Sequence, residues 1–290
     1  MWIANRWEDY TVLDCGNGEK AERWGKYTLI RPDPQVIWSR CADCSAWRTP
    51  SAIYHRSHNG GGQWEIRDLP EQWAIRYQPL RLTFQLKPMR FKHTGLFPEQ
   101  AVNWDFIARM IQEADRPTRV LNLFAYTGGA TLAAASAGAS VCHVDASKGM
   151  VQWAKENAVS SGLAEKPIRW IVDDCVKFVQ REIRRGRQYD AIIMDPPSYG
   201  RGPSGEMWKI EDNIADFLTL TTQLLSEKPL FVLISSYSAG LAPSVTAYLL
   251  GVTAGKQFAG HIEAQEIGLP VASTGLILPC GSSARFIAKP

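Results

Sequence analysis

The sequence predicts a doubly wound α/β sheet preceded by a small β-rich domain, on three observations. From about residue 103 onward, apolar runs alternate with helical segments. The stretch VLNLFAYTGGATLAAASAG, Val120 to Gly138, reads as an apolar strand entering a glycine turn and then a small-residue helix. Residues 1 to about 80 are rich in Trp, Tyr, Arg and Pro and show no helical period. Strands apolar along their whole length, spaced by crossover helices, imply a parallel sheet covered on both faces. A chain of 290 residues has room for one large α/β domain and an appendage. The expected division is a β-rich domain over 1–87 and the α/β domain over 88–290.

In the first part, the turn signals CGNGEK, RPDP and HNGGGQWE break up the short runs YTLIR, QVIWSR, QWEIRD and RLTFQLK. These runs read as strands, the last with Leu82, Phe84 and Leu86 in alternation. The α/β part opens with NWDFIARMIQEAD, which puts Ile107, Met110, Ile111 and Ala114 on one helical face before Pro117 stops it. Strands then follow at RVLNLFAY, ASVCHVDA, IRWIVDD, YDAIIMDPP and LFVLISSYS. Helices alternate with them at GATLAAASAG, MVQWAKENAVSSG, CVKFVQREIRRG and IADFLTLTTQLL. The tail predicts one more helix, PSVTAYLLGVTAG, and two late strands, HIEAQEIGLP and ARFIAKP, around a turn at LPCGSS.

Composition narrows the function class. Hydrophobic residues make up 45% and charged residues 21%, with no apolar run long enough to span a bilayer. The start, MWIANRWEDY, lacks the pattern of a secretory signal, so a cytoplasmic location and no membrane partner are expected. Six cysteines are too sparse for a disulfide scaffold. The pair Cys41 and Cys44 lacks a second pair or nearby histidines, so no metal is expected. A net charge of +3 permits nucleic-acid contact without arguing for it. The densest basic cluster, REIRRGR from Arg181 to Arg187, is either a solvated helix end or an RNA-facing patch.

In an open α/β sheet, ligands bind beyond the carboxyl ends of the strands, where the turn at Tyr126 to Gly129 falls. Its glycines admit close backbone approach. The string AYTGGAT lacks both the G-x-G-x-x-G spacing for a pyrophosphate and the G-K-[ST] of a phosphate loop, which disfavours a nicotinamide dehydrogenase. The second strand ends at Asp145, where a carboxylate accepts hydrogen bonds from ribose hydroxyls or caps the following helix. The third strand ends at Asp173 and Asp174, either one able to accept from an adenine amino group.

The ordered series NLFAYTGGAT, VDAS, VDDCVKF and MDPPSYGRG resembles the class I methyltransferases that use S-adenosylmethionine. More narrowly, it is similar to the bacterial family that includes the ribosomal RNA large-subunit cytosine-5 methyltransferase. KHTGLFPEQAVNW resembles that family's K-x-T-G-x-F-x-x-Q segment, which packs over the cofactor and contains Phe97 and Pro98. The likeness covers roughly residues 88 to 240. It implies a Rossmann-like sheet with S-adenosyl-L-methionine as cofactor. Phe124, Ala125, Tyr126, Thr127 and Gly128 would line the methionine end, with Asn122 in place of the acidic residue common near the first strand's end. Asp145 would hold the ribose, Ala146 and Ser147 would border the adenine, and Asp173 or, preferably, Asp174 would reach its amino group. After Gln100 the chain departs from the family, carrying Ala101 and Trp104 where arginines are usual.

The acceptor is read from the fourth and fifth strands. DPPSY resembles the Asp-Pro-Pro-aromatic signature of amino-group methyltransferases, with the aromatic displaced by one residue. Asp195 and Pro196 would accept hydrogen bonds from an NH2, Tyr199 would flank a planar base, and Asp195 also borders the cofactor. Cytosine C5 becomes nucleophilic only after a thiolate adds to the ring. The relatives' Ser-Cys-Ser falls here on Ser236, Tyr237 and Ser238, so that thiol is missing. Cys175 reads as a packing residue. Trp208 stacks on a target base or anchors its loop, and Trp24, Arg31, Trp38, Arg40, Trp47 and Arg48 form either an RNA-facing surface or a domain core. The expected function is methylation of a ribosomal RNA base at an amine or ring nitrogen. A small-molecule or protein methyltransferase, and an idle module holding cofactor or RNA, remain the alternatives.

Overall fold

The computed structural model describes residues 1–41, 44–57, 61–201, 207–237 and 240–289. The chain divides into two compact units. One comprises Asn103–Glu266 and the segment from Gly281 onward, with Met1; the other comprises Trp2–Val102 and Ile267–Cys280.

The main sheet has eight strands, the two-residue strand Trp2–Ile3 at one edge and then seven longer ones: β1 Arg119–Leu123, β2 Ser140–Asp145, β3 Ile168–Val172, β4 Ala191–Met194, β5 Phe231–Ser236, β6 Gly260–Pro270 and β7 Ile277–Ala288. Their order is β6-β7-β5-β4-β1-β2-β3. β3, β2, β1, β4 and β5 are parallel, and β7 runs antiparallel to β5. The strand order reverses at β1, which places a crevice beyond the carboxyl ends of β1 and β4. The helices are α1 Ala101–Glu113, α2 Gly129–Ser136, α3 Lys148–Ser160, α4 Cys175–Arg184, α5 Ile210–Thr221, α6 Pro243–Val252 and the single turn α7 Ala254–Gln257. A doubly wound α/β fold is therefore present. Among the described residues no helix is long and apolar enough to cross a membrane.

Strand alternation divides the apolar residues between two cores. Leu121, Leu123, Val144, Ile192, Met194, Val232 and Ile234 pack with α4 and α5 on one face. Val120, Val141, Ile193, Phe231 and Leu233 pack with Phe106, Ile107 and Ile111 of α1 and with Ala134 and Ala135 of α2 on the other. Both faces are covered, which explains why these strands lack the polar alternation of a half-exposed sheet.

The tail differs from the sequence expectation at its turn. LPCGSS lies inside β7, and the reversal falls earlier, at Ala272 to Gly275, where Gly275 takes φ 69° and its N–H donates to Val271 O at 2.9 Å. Gly281 serves close packing: a Cβ there would sit 2.9 Å from Ser236 O.

In the smaller unit, Tyr10–Gly16, Glu19–Trp24, Tyr27–Pro32, Ala52–Arg56 and Gly62–Ile66 form a five-stranded sheet, and Trp73–Tyr77 pairs with Leu82–Leu86. Leu82, Phe84 and Leu86 are all buried, as their alternation predicts. QVIWSR is irregular instead of a strand; its backbone is used locally, Val36 O accepting from Gly18 N and Trp38 O from Asn17 N. Trp24 is fully buried, and Arg31 lies over its ring and is held by two hydrogen bonds to buried Glu22, at 2.6 and 2.8 Å. This part of the Trp/Arg series is domain core. Arg40 ion-pairs with Glu19 and lies 3.9 Å from the centre of the Trp47 ring, whose Nε1 donates to Asp14.

Candidate active site

The turn after β1 is bent by left-handed backbone at three of five residues: Phe124 (φ 53°), Tyr126 (49°) and Gly128 (90°). For Phe and Tyr this conformation costs about 1 kcal/mol or more each and needs support from the surroundings. That support is visible. Phe124 N–H donates to Cys175 Sγ at 3.3 Å, Ala125 N–H to Val144 O at 3.0 Å and Tyr126 N–H to Asp145 Oδ2 at 2.9 Å. The Thr127 carbonyl accepts from Asn157 Nδ2 of α3 at 2.9 Å.

The two glycines answer different needs. Gly128 carries the positive φ, and a Cβ there would also meet Ala154 Cβ at 3.0 Å. Gly129, in ordinary helical backbone, leaves room for the Trp104 ring: a Cβ would lie 2.6 Å from Cζ2. Trp104, the departure from the family's arginines, is thus a buried packing partner of the turn.

Asp145 presents a braced carboxylate at the end of β2. Oδ2 accepts from Tyr126 N–H, and Oδ1 accepts from Ser147 N–H at 2.8 Å. Burial raises its pKa, with the two backbone bonds opposing the rise. The cap of α3 is Ser147, whose Oγ accepts from Met150 N–H at 3.4 Å. Ala146 and Ser147 are exposed. With both oxygens fixed, Asp145 can accept two hydrogen bonds from vicinal hydroxyls.

Asn122 faces away from the crevice. It is 3% exposed, and its Nδ2 donates to Thr131 Oγ1 at 2.9 Å; that hydroxyl in turn lies 2.9 Å from His143 Nδ1. The Thr131 hydroxyl thus bridges the Asn122 amide and the His143 ring. Burial pushes the His143 pKa down to about 3. This polar chain ties β1, β2 and α2 together beneath the turn.

After β3 the two acids diverge. Asp173 ion-pairs with Arg181, while Asp174 caps α4, its Oδ1 accepting from Lys177 N–H at 2.9 Å. Beyond β4, Asp195 is half-buried, Pro196 is buried and Tyr199 is 55% exposed. Because Met194 pairs with Leu123 in register, Asp195 and Phe124 leave the sheet side by side. Tyr199–Arg201 forms a ribbon with Met207–Lys209, and the Tyr199 hydroxyl donates to Met207 Sδ at 2.8 Å. Trp208 anchors this ribbon: its Nε1 donates to Pro197 O at 2.7 Å, and its ring packs against Phe124 and Phe217.

Thus Phe124 to Gly128, Asp145 to Ser147, Asp173, Asp174, Asp195, Pro196 and Tyr199 all lie at the carboxyl edge of one sheet in one unit. Phe97 and Pro98 belong to the other unit, where Pro98 O accepts from Trp7 Nε1 at 2.8 Å. Cys175 is 3% exposed, and burial drives its thiol pKa far above the ordinary value, so it is a neutral packing group. Ser236 is buried, while Ser238 lies outside the described residues. Among the described residues no group of three or more metal-ligating side chains gathers. Sequence reasoning missed the loop supports Asn157, Thr131 and His143. A signal existed for Asn157, a polar residue amid Trp153, Ala154 and Ala158 on the buried face of α3.

Comparison with known proteins agrees with this architecture. A ribosomal RNA large subunit methyltransferase K/L of Shewanella baltica is 32% identical over 145 residues, which is 49% of this chain and 20% of that protein. The chain therefore spans about a fifth of the length of the curated relatives it matches. A methyltransferase structure from Agrobacterium tumefaciens, described as SAM-dependent, has a TM-score of 0.91 and 36% identity, covering 99% of this chain and 93% of that one. Another from Streptococcus mutans has a TM-score of 0.75 at 18% identity, covering 97% and 76%, a likeness of fold. The description of S-adenosylmethionine-dependent methyltransferases matches residues 42–225, more than half of the chain. The chain belongs to the S-adenosylmethionine-dependent methyltransferase family, with S-adenosylmethionine as its cofactor.

Proposed function

We propose that the enzyme methylates a base of RNA, ribosomal RNA foremost, at an exocyclic amine or ring nitrogen. The observation that carries this reading is Asp195-Pro196-Pro197-Ser198-Tyr199 at the carboxyl end of β4, beside the turn that begins at Phe124. The name of the curated relatives supports RNA as the substrate class. The lack of a cysteine at the end of β5 and the inert thiol of Cys175 weigh against addition to cytosine C6.

The residues present fit the cofactor. The turn from Phe124 to Gly128 offers strained backbone at the carboxyl end of β1, with the positive φ of Gly128 leading into α2. The Asp145 carboxylate would hold the ribose hydroxyls, and Asp174, or Asp173 if it exchanges its Arg181 partner, would accept from the adenine amine. Asn122 would act from below, through Thr131, by fixing the start of α2. When bound, S-adenosylmethionine supplies an already activated methyl group. The protein's own contribution is then to align the acceptor and manage its proton. Asp195 would accept a hydrogen bond from the acceptor N–H and turn the nitrogen lone pair toward the methyl. The Asp195 carboxylate and the Pro196 carbonyl are the acceptors assigned to the base, while Pro197 O accepts from Trp208. The exposed Tyr199 ring would flank the base plane.

The test is transfer of tritium from labelled S-adenosylmethionine to ribosomal RNA extracted from a strain lacking this protein, followed by nucleoside digestion. Label in one N-methylated nucleoside, lost in Asp195→Ala while cofactor binding persists, supports the reading. Label at cytosine C5, or labelling of protein or small molecules alone, overturns it.

A further inference from the structure

A second concave site lies in the larger unit, at the opposite, amino-terminal edge of the sheet. It is a cavity of about 380 Å³ bordered by the first residues of β1 and β2, the approach to β3, the end of α4 and the approach to β4. Its lining includes four arginines, Arg119, Arg169, Arg185 and Arg187, against one carboxylate, Glu182. We propose that this cavity is a phosphate-binding site, taking the phosphate of a free nucleotide or of an RNA backbone.

The arginines are organised from beneath. Glu182 is fully buried; its Oε2 accepts from the Tyr189 hydroxyl at 2.7 Å and from Arg169 Nη1 at 3.2 Å, and its Oε1 accepts from Arg185 Nη1 at 3.1 Å. The Glu182 main-chain oxygen also accepts from Arg187 N–H at 3.0 Å, which closes the end of α4 toward the cavity. Glu182 thus fixes two guanidinium groups through its carboxylate and the backbone of a third arginine through its main-chain oxygen. Arg119 enters from β1, its Nε 3.8 Å from Asp190 Oδ2, a carboxylate that Arg116 also engages at 3.1 Å. Arg119, Arg169 and Arg185 each keep about half of the side chain open to solvent, at 55%, 46% and 54%.

The charge balance argues for an anionic ligand. Four like charges around one cavity repel each other, and the carboxylates of Glu182 and Asp190 compensate only part of that repulsion. A guanidinium fork matches a phosphate in two parallel hydrogen bonds, so positioned arginines recognise phosphate with geometry as well as charge. Beyond Glu182 the floor adds no negative charge. Burial pushes the Cys142 thiol up to about 11, and burial raises the Tyr189 hydroxyl further still, so both stay neutral. Glu182 is ionised: burial opposes this, but its bonds from Tyr189 and Arg185 and the Arg169 charge hold its pKa below the ordinary value. Val141 and Pro167 give the lining an apolar part against which a planar base can lie. The volume is within the range of small-ligand sites.

Calorimetric titration of the full chain with AMP, with inorganic phosphate and with a single-stranded RNA oligonucleotide tests this. The wild type is compared with R119Q/R187Q, and S-adenosylmethionine affinity serves as the folding control, since the cavity is separate from the carboxyl edge. Binding of AMP or phosphate, at least tenfold weaker in the variant at unchanged cofactor affinity, supports the site and assigns a free nucleotide as the source. Binding of RNA alone, weakened to the same degree and with a shallower salt dependence, supports it and assigns the backbone. If R119Q/R187Q does not fold, R187Q alone carries the comparison. Absence of binding by all three probes at millimolar concentration, or equal affinity in the variant, overturns the proposal.

Discussion

Asp145→Asn keeps the size of the side chain and removes its charge, so it separates two roles of one residue. The carboxylate braces the turn by accepting from Tyr126 N–H at 2.9 Å and Ser147 N–H at 2.8 Å. An amide offers one oxygen and one NH2 group, so whichever way it turns, one backbone N–H faces another donor. Losing one hydrogen bond to a charged acceptor costs about 1.5–3 kcal/mol. Part of that loss is returned, because burial raises the Asp145 pKa and makes its ionised form costly in the folded protein. The sign follows: the ionisation penalty is present at neutral pH and is relieved as pH falls through the raised folded value. Stability is therefore expected to change little, while ribose recognition loses a charged acceptor. That loss corresponds to about a ten- to 150-fold rise in Kd for S-adenosylmethionine. Calorimetric titration gives the affinity and thermal unfolding gives the stability. In wild type, affinity is expected to fall on acidification at a pH above that of an ordinary aspartate. A variant that binds the cofactor within threefold of wild type would refute the ligand role and leave Asp145 as a brace alone.

Three further outcomes are expected. Gly129→Ala forces a Cβ to 2.6 Å from the buried Trp104 ring, which is expected to cost about 1–3 kcal/mol and lower Tm by several degrees. Combined with Trp104→Leu, the double variant should lose less than the sum of the singles; strict additivity in thermal unfolding would show that the ring is not what excludes the methyl. Glu22→Gln breaks a buried ion pair with Arg31, at an expected cost of about 3–5 kcal/mol. Burial opposes ionisation of Glu22, but Arg31 and Lys20 hold its pKa down to about 2, so the pair's contribution is intact above the ordinary value of 4.5 and is lost as pH falls through about 2. Acid unfolding followed by circular dichroism should shift to higher pH in a variant such as Arg31→Met, and an unchanged midpoint would count against the pair. Finally, Cys175 should resist iodoacetamide in the native protein, and Cys175→Ala should retain methyl transfer within about tenfold, because the buried thiol serves the backbone, accepting from Phe124 N–H and donating to Val144 O. Complete loss of transfer with cofactor binding intact would point to a nucleophile.

The sheet was legible because its strands are apolar on both faces and its helices have clear ends: Pro117 follows α1 and Asp174 opens α4. The strained turn was legible as a glycine site, but the left-handed conformations of Phe124 and Tyr126 were not, since nothing local favours them and their support comes from β2, α3 and α4. Asn122 shows the same limit. Its position on β1 suggested a ligand contact, yet strand alternation turns it inward to Thr131, a direction that requires the pairing with His143 to be known. LPCGSS misled because proline, glycine and serine signal turns in isolation, whereas here they lie within the twelve-residue strand β7, flanked by β6 and β5, with Ser282 and Ser283 in register on β5. QVIWSR misled in the opposite sense: an apolar run lacks a neighbouring strand to pair with, so its backbone bonds close a loop.

The hairpin of β6 and β7 has a consequence for the order of events during synthesis. Its tip, Ile267–Cys280, belongs to the same unit as Trp2–Val102. Trp2 and Ile3 pair with Ile267 and Gly268, Val12 bridges Val271, and Ser273 Oγ donates to Asp14 Oδ1 at 2.6 Å. When Trp2–Val102 leave the ribosome they therefore lack edge partners that are translated more than 160 residues later, Asn103–Glu266 lying between them. At about 5–20 residues per second that interval is of the order of ten to thirty seconds. Throughout it, the early β-rich segment must wait with an unpaired edge, a period in which a holding chaperone has a defined strand to cover.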